Sequence, residues 1–154
     1  MLFRGLPAVL KLSSAEKRSL QQFARSLAAQ VAGNRSFTCL VSGDRELLRL
    51  NRQFLNREYP ADVLSFPSGH APAEMGEVAI SIERAAAQAA QHGHALLDEI
   101  RILMLHGVLH LTGLDHERDG GEMSRAECKW RDAFALPSTL IARAGATPRT
   151  GVAQ

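Results

Sequence analysis

The stretch HGVLHLTGLDH, residues 106–116, holds three of the six histidines of this 154-residue chain. His106 and His110 stand four residues apart in an apolar run, so a helix would place both imidazoles on one face, one turn apart. Gly113 can end that helix and let the chain reverse, which would bring His116 back to the same point. The stretch therefore predicts a core helix with three imidazoles gathered at its end.

Three neutral imidazoles with a fourth position left open are typical of a catalytic zinc site, whereas a structural zinc has four protein ligands. An isolated histidine in such a run is more often a hydrogen-bonded core residue. Three at this spacing around a helix-ending glycine favour a metal, and zinc accepts imidazole readily. We expect one Zn²⁺ per chain, bound by His106, His110 and His116.

The composition is that of a folded protein, with 45% hydrophobic and 22% charged residues. A formal net charge of +2 gives no strong bulk field for nucleic acid, and we expect no DNA partner. No apolar run reaches the ~18 residues of a membrane helix, and no signal peptide is recognisable. Cys39 and Cys128 lie far apart and in no motif, which favours reduced thiols. These features predict a cytoplasmic protein without a membrane partner.

Apolar periodicity and turn residues predict about five helices and about four strands. Helices are expected over about 14–31, 44–55, 83–91, 96–111 and 121–135, and strands over 6–12, 37–42, 62–67 and 76–82. Ser13 and Glu16 fit a capping box at the start of the first helix. Helices and strands do not alternate strictly, so we predict a single α+β domain with a mixed sheet over residues 1–136. Residues 137–154, with small and polar residues, are expected to form a flexible tail.

The spacing H-x-x-x-H-x-x-G-x-x-H is also the ligand pattern of metzincin metalloproteases. In those proteases a glutamate follows the first histidine and serves as general base. Gly107 occupies that position here and cannot accept a proton. Glu99, Glu117 and Glu122 are nearby in sequence, and one of them could substitute. A metallopeptidase is therefore one alternative function.

As a whole, the same stretch resembles the signature H-G-x-L-H-L-x-G-x-D-H of the YbeY family of bacterial rRNA maturation factors, and it meets every fixed position. Supporting segments lie upstream. LNRQF at 50–54 resembles the family's L-N-x-x-[FY], PADVLSFP at 60–67 resembles P-T-[DN]-V-L-S-F-P, and GEVAIS at 76–81 resembles G-D-I-x-I-S. The resemblance covers roughly residues 40–135.

The resemblance implies a single-strand-specific endoribonuclease whose metal ligands are His106, His110 and His116. It implies action on a ribosomal RNA precursor, notably at the 3′ end of the small-subunit rRNA, and a part in ribosome quality control. The implied partners are single-stranded RNA and the small ribosomal subunit with its proteins, in the bacterial cytoplasm.

Two positions depart from the family pattern. Leu55 stands where the family has an arginine that faces the substrate phosphate, and Ala61 replaces a threonine. Arg57 or Arg52 could supply the missing charge. We favour Arg57 because it lies in the loop before the third strand, although a solvated loop cation is an equal alternative.

Asp115 is the second predicted catalytic residue, as a carboxylate that orients a histidine ligand, although a turn-capping role explains it as well. A zinc ion and an arginine would stabilise the negative charge that develops on a phosphodiester in the transition state. Either a water activated at the metal or the RNA 2′-hydroxyl could be the nucleophile.

The last helix interleaves acidic and basic residues, which indicates a solvated face rather than an RNA-binding patch. RNA specificity would then depend on ribosomal context and single-strand access. His92 and His94 are expected in exposed loops. Because Leu55 replaces the family arginine, a non-enzymatic ribosome assembly factor with a structural zinc is a third possible function.

Overall fold

The computed structural model describes residues 1–69, 72–115, 119–137 and 150–152. In this part of the chain five strands form one sheet: β1 (Leu2–Phe3), β2 (Ser36–Ser42), β3 (Val63–Pro67), β4 (Glu74–Ser81) and β5 (Thr150–Val152). Five helices pack on it: α1 (Ser14–Gln30), α2 (Asp44–Leu55), α3 (Ile82–His92), α4 (Leu96–Leu111) and α5 (Glu122–Ala133). No helix among the described residues is both long and apolar enough to cross a lipid bilayer.

The sheet has the strand order β1-β2-β4-β3-β5. β2 runs parallel to β1 and β4, whereas β3 runs antiparallel to β4 and parallel to β5. The prediction of an α+β chain with a mixed sheet is therefore confirmed. β5 adds a short edge strand from within the segment that the sequence predicts as a flexible tail, of which 138–149 lie outside the described residues.

The predicted strand over 6–12 is wrong. Ala8–Leu10 form a single 3-10 turn, in which the Leu10 amide donates to the Pro7 carbonyl at 2.9 Å. Pro7 has no amide hydrogen for a strand ladder and its fixed φ suits the start of such a turn. The strand that pairs with β2 is instead β1, which begins four residues before the predicted strand.

The two faces of the sheet bury different helices. α1 and α4 cover one face, where Val63, Val78 and Ile80 from the sheet meet Leu103 and Val108 of α4. α2 covers part of the opposite face with a smaller apolar cluster, which we call the α2 cluster, formed by Leu47, Ala61, Leu64 and Ala79. α4 is apolar around most of its circumference because the sheet, α1, α3 and α5 all pack against it.

The predicted core helix has the bounds expected from the sequence, 96–111. α4 ends at Leu111, and Gly113 adopts a φ of +102°, a conformation that favours glycine. The Gly113 amide donates to the His110 carbonyl at 3.0 Å, and the Leu114 amide donates to the Leu109 carbonyl at 3.3 Å. These two bonds form a Schellman motif, which reverses the chain immediately before Asp115.

Candidate metal centre

The two histidines of α4 face each other at its C-terminal end. Nε2 of His106 lies 3.1 Å from Nε2 of His110, and the ring centroids are 4.7 Å apart with the planes at 75°. His110 is buried and His106 is half-buried. The i, i+4 prediction is thus confirmed for this pair, which places two imidazole nitrogens at one point.

The third predicted ligand, His116, lies outside the described residues, as does Glu117. Asp115 is the last residue described before that gap, and its side chain is half-buried. Among the described residues no three His, Cys, Asp or Glu side chains group as metal ligands. The structure therefore brings two of the three predicted ligands together, and metal binding by all three stays a prediction.

A carboxylate from α5 contacts the first histidine of the pair. Nδ1 of His106 lies within hydrogen-bonding distance of Oε1 of Glu127, and Oε2 of Glu127 lies 4.0 Å from Nη2 of Arg131. Arg131 is buried, and the Glu127 side chain is 21% exposed. The prediction of a solvated face is therefore wrong at these two positions, because α5 turns them toward α4.

Asp62 is a further acidic group near the histidines, at the start of β3. It is 1% exposed, its Oδ1 accepts from the Val63 amide at 2.8 Å, and its Oδ2 accepts from Nε2 of Gln88 at 3.1 Å. Burial raises the pKa of Asp62 to about 6, although the Gln88 hydrogen bond and the charge of His106 act in the opposite direction. Sequence reasoning missed this carboxylate as a charged neighbour of the site.

Gly107 lies where α4 is in close contact with the sheet. Its carbonyl accepts from Oγ of Ser65 at 3.0 Å, and a Cβ at this position would lie 2.7 Å from Cγ1 of Val78. A glutamate after the first histidine would therefore collide with β4. The residue that a metzincin uses as general base has no room in this fold.

The acidic residues considered as substitutes do not take that place. Glu99 is fully buried two turns before His106, about 10 Å along the helix axis. Glu122 is exposed at the start of α5, where its carboxylate accepts from the Gly120 amide at 2.9 Å. Neither of these glutamates lies in the turn that carries the histidine pair.

The loop between α2 and β3 carries the predicted arginine. Asn51 is fully buried, and its side-chain Nδ2 donates to the Tyr59 carbonyl at 2.7 Å. Its main-chain carbonyl accepts from the Arg57 amide at 3.2 Å. The side-chain bond explains the asparagine of the L-N-x-x-[FY] segment, because it fixes the loop that follows the helix. Arg57 is exposed, and its Nη1 donates to the Tyr59 hydroxyl at 3.2 Å.

Arg52 and Leu55 have other contacts. Nε of Arg52 donates to Oε2 of Glu58 at 2.7 Å. Leu55 is half-buried and packs against the α2 cluster. In the described part of the chain no carboxylate forms an ion pair with Arg57, so of the two candidate arginines Arg57 has the charge that is free of an acidic partner.

His92 and His94 are not the exposed loop residues that the sequence predicts. Both are half-buried, and their rings stack with centroids 5.9 Å apart. His92 is the last residue of α3, with Nδ1 at 2.9 Å from the Gln88 carbonyl. The stacked rings lie at the end of α3 and stabilise it, and they are not part of the His106–His110 pair.

The chain is similar to proteins of a known family. Residues 10–134 match the model of the family described as Endoribonuclease YbeY. A relative named Endoribonuclease YbeY from Solibacter usitatus (strain Ellin6076) is 50% identical over 141 residues, which cover 92% of this chain and 91% of the relative. A second with the same name, from Koribacter versatilis (strain Ellin345), is 46% identical over 134 residues, covering 86% of this chain and 87% of that one.

The fold also has a counterpart of known structure. A solution structure of a Thermotoga maritima protein superposes with a TM-score of 0.58 at 23% identity, covering 87% of this chain and 90% of that one. That likeness concerns the fold. The family match spans most of the chain and includes the histidine pair of α4 and the loop of Asn51, and the chain therefore belongs to the YbeY family of endoribonucleases.

Proposed function

We propose that this protein is a zinc-dependent, single-strand-specific endoribonuclease that matures the 3′ end of the small-subunit rRNA and serves ribosome quality control in the bacterial cytoplasm. Membership of the family makes it an endoribonuclease in rRNA processing, a hydrolase that acts on RNA. The finer points are our proposal: the metal, single-strand preference, cleavage site, compartment and the small subunit with its proteins as partner. We also propose residues 1–136 as the catalytic domain and 137–154 as a tail, whose residues 150–152 form β5.

The observation that carries the proposal is the His106–His110 pair. Two imidazole nitrogens bound to one tetrahedral zinc lie about 3.3 Å apart, and the Nε2 atoms of the pair are 3.1 Å apart. The residues present thus fit the ion, and His106, His110 and His116 would hold it, one ion per chain. When bound, the ion supplies Lewis-acid stabilisation to the negative charge of the phosphodiester in the transition state.

The chain's own residues then have separate roles. His110, buried beside the apolar end of α4, binds from a rigid position, because the Schellman motif and the sheet hold that end of the helix. Asp115 follows the motif directly, and we propose that it orients a ligand histidine. Neutral ligands leave the full charge of the cation available to substrate.

Arg57 is the proposed source of additional positive charge at the phosphate. Its guanidinium is exposed and donates to the Tyr59 hydroxyl, and no carboxylate of the described residues forms an ion pair with it, whereas Arg52 already pairs with Glu58. A planar guanidinium can bind a phosphate with two parallel hydrogen bonds. We therefore assign to Arg57 the role that the family arginine loses at Leu55.

A peptidase function finds little support in the geometry, because Val78 fills the space that a glutamate at position 107 would need. A non-catalytic assembly factor with a structural zinc differs from the proposal by one measurable property, the cleavage of RNA. A fourth protein ligand on the metal would favour that structural role, whereas a solvent ligand would favour catalysis.

The test is cleavage of a labelled single-stranded RNA by the purified protein, before and after chelation and after Zn²⁺ is returned. A duplex of the same sequence tests single-strand preference. His110→Ala removes one ligand, and Arg57→Ala is compared with Arg52→Ala, which removes an arginine from the last turn of α2.

We expect cleavage to disappear with chelator, return with zinc and be absent in His110→Ala. Removing a charge that contacts the phosphate only in the transition state costs on the order of 10²-fold in kcat, which we expect for Arg57→Ala and not for Arg52→Ala. Equal cleavage by the wild type and His110→Ala would assign the activity to a contaminant and leave the assembly-factor function ahead.

A further inference from the structure

We propose that Glu127 is a positioning residue that fixes the tautomer and ring orientation of His106, and that Arg131 holds Glu127 in place for this purpose. The inference deepens the proposed metal site, and its zinc measurement rests on the proposed function. Its tautomer measurement does not, since it concerns the protein without metal.

The contact itself restricts the proton on His106. A carboxylate accepts hydrogen bonds and donates none, so Nδ1 of His106 must hold the proton that Oε1 of Glu127 accepts. In a neutral imidazole the other nitrogen, Nε2, then keeps its lone pair. That lone pair faces Nε2 of His110 at 3.1 Å, which is the point where the two ligands converge.

The burial of Glu127 and Arg131 on α5 also needs an explanation. An amphipathic helix that only covers a core presents apolar side chains inward, as Met123 of α5 does. One turn after Met123, Glu127 lies on the same side, and one turn further Arg131 is 5% exposed. Charged groups at such depth are costly unless each is paired. Because Glu127 contacts His106 and Arg131 pairs with Glu127, the burial of these two charges is explained by the position of the His106 ring.

Arg131 completes the arrangement. Its Nη2 is 4.0 Å from Oε2 of Glu127, whereas the contact with Nδ1 of His106 is made by Oε1. A glutamate four residues before an arginine is the favourable order for such a pair on a helix. The guanidinium thus adds a second contact to the carboxylate, and an ionised carboxylate can only accept a hydrogen bond from His106.

Carboxylates behind metal-binding histidines have this effect in general: they set the tautomer and the ring orientation, and losing one costs about 10- to 100-fold in metal affinity. Glu127→Gln is the sharpest perturbation here, because the side chain keeps its size. The amide can accept from Nδ1–H or donate to a bare Nδ1, so it no longer selects one tautomer.

The control is Asp132→Asn, which makes the same charge change at an exposed position on α5. Two measurements are made on both variants and the wild type after chelator treatment. Ring ¹⁵N chemical shifts at pH 8 report which nitrogen of His106 holds the proton. Competition with a chromophoric chelator then reports the affinity for Zn²⁺ alone, without RNA.

In the wild type and Asp132→Asn we expect His106 to hold its proton on Nδ1 and to bind zinc equally well. In Glu127→Gln we expect a mixture of the two tautomers and about tenfold weaker zinc binding. An unchanged tautomer or an unchanged zinc affinity in Glu127→Gln would overturn the inference. If the wild type binds no zinc, the proposed metal site fails, and the ¹⁵N shifts alone still decide whether Glu127 sets the tautomer.

Discussion

Replacing Gly107 by alanine tests whether the closeness of α4 to the sheet shapes the site. The added Cβ would lie 2.7 Å from Cγ1 and 3.1 Å from Cγ2 of Val78, and 3.2 Å from Oγ of Ser65. Real Cβ atoms do not approach carbon at 2.7 Å, so α4 or Val78 must move. Because both are enclosed in the core, we expect the protein to lose stability.

The size of the loss follows from three contributions. Overpacking a filled core costs about 2 kcal/mol, and displacing α4 weakens the Ser65–Gly107 hydrogen bond, worth about 1 kcal/mol. Alanine has the higher helix propensity and returns about 1 kcal/mol. We expect Gly107→Ala to lower the free energy of unfolding by about 2 kcal/mol, the opposite of the stabilisation that an exposed helix glycine would give.

The assay is urea unfolding followed by circular dichroism, in chelator, for Gly107→Ala, Val78→Ala and the double variant. Val78→Ala alone leaves a cavity and costs about 2 kcal/mol. In the double variant the new methyl group occupies that cavity, so the two losses should sum to at least about 1 kcal/mol more than the measured loss. A more stable Gly107→Ala protein, or strictly additive losses, would refute the close approach of α4 to β4.

Two further substitutions test other parts of the description. Ser13→Ala removes the capping box in which Oγ of Ser13 accepts from the Glu16 amide at 3.1 Å, and it should cost about 1 kcal/mol in the same urea assay, with Ser26→Ala in the middle of α1 as the control. Asp62→Asn tests the buried acid, because its pKa is raised to about 6 and the unfolded chain releases this proton near pH 4. The stability that the protonated carboxyl gives is therefore present below about pH 4 and is lost as pH rises through about 6. Asparagine does not titrate, so in chelator the stability of Asp62→Asn relative to the wild type should rise with pH, by up to about 3 kcal/mol at pH 7.5. A difference between the two proteins that stays constant from pH 4 to 7.5 would contradict this.

Local sequence signals predicted the helices well. α2 and α4 have the expected bounds, 44–55 and 96–111, because apolar periodicity and the residues that end each helix are close together in the chain. The expected strand over 6–12 is wrong. Its apolar residues indicate a strand, but Pro7 lacks the amide hydrogen that a strand ladder needs. Pairing of β1 with β2 depends on residues almost forty positions apart, which local patterns do not contain.

The site divides in the same way. His106 and His110 were predictable because four residues separate them on one helix. Glu127 was not, because its neighbours on α5 alternate in charge and give the pattern of a solvated face, while its burial depends on how α5 packs against α4. The buried Met123 one turn earlier was the available signal, since residues four apart share a helix face.

The structural roles of the motif residues explain why the fold tolerates Leu55 in place of the family arginine. Asn51 fixes the loop through the Tyr59 carbonyl, and Ser65 bonds Gly107 where α4 meets the sheet. These residues set geometry, and none of their contacts needs a charge at position 55. Leu55 instead packs against the α2 cluster on the opposite face of the sheet from α4, so the loss of the family arginine leaves the frame of the histidine pair unchanged. We therefore expect the change to act through the lost positive charge, and we propose that Arg57, in the loop that Asn51 fixes, supplies that charge instead.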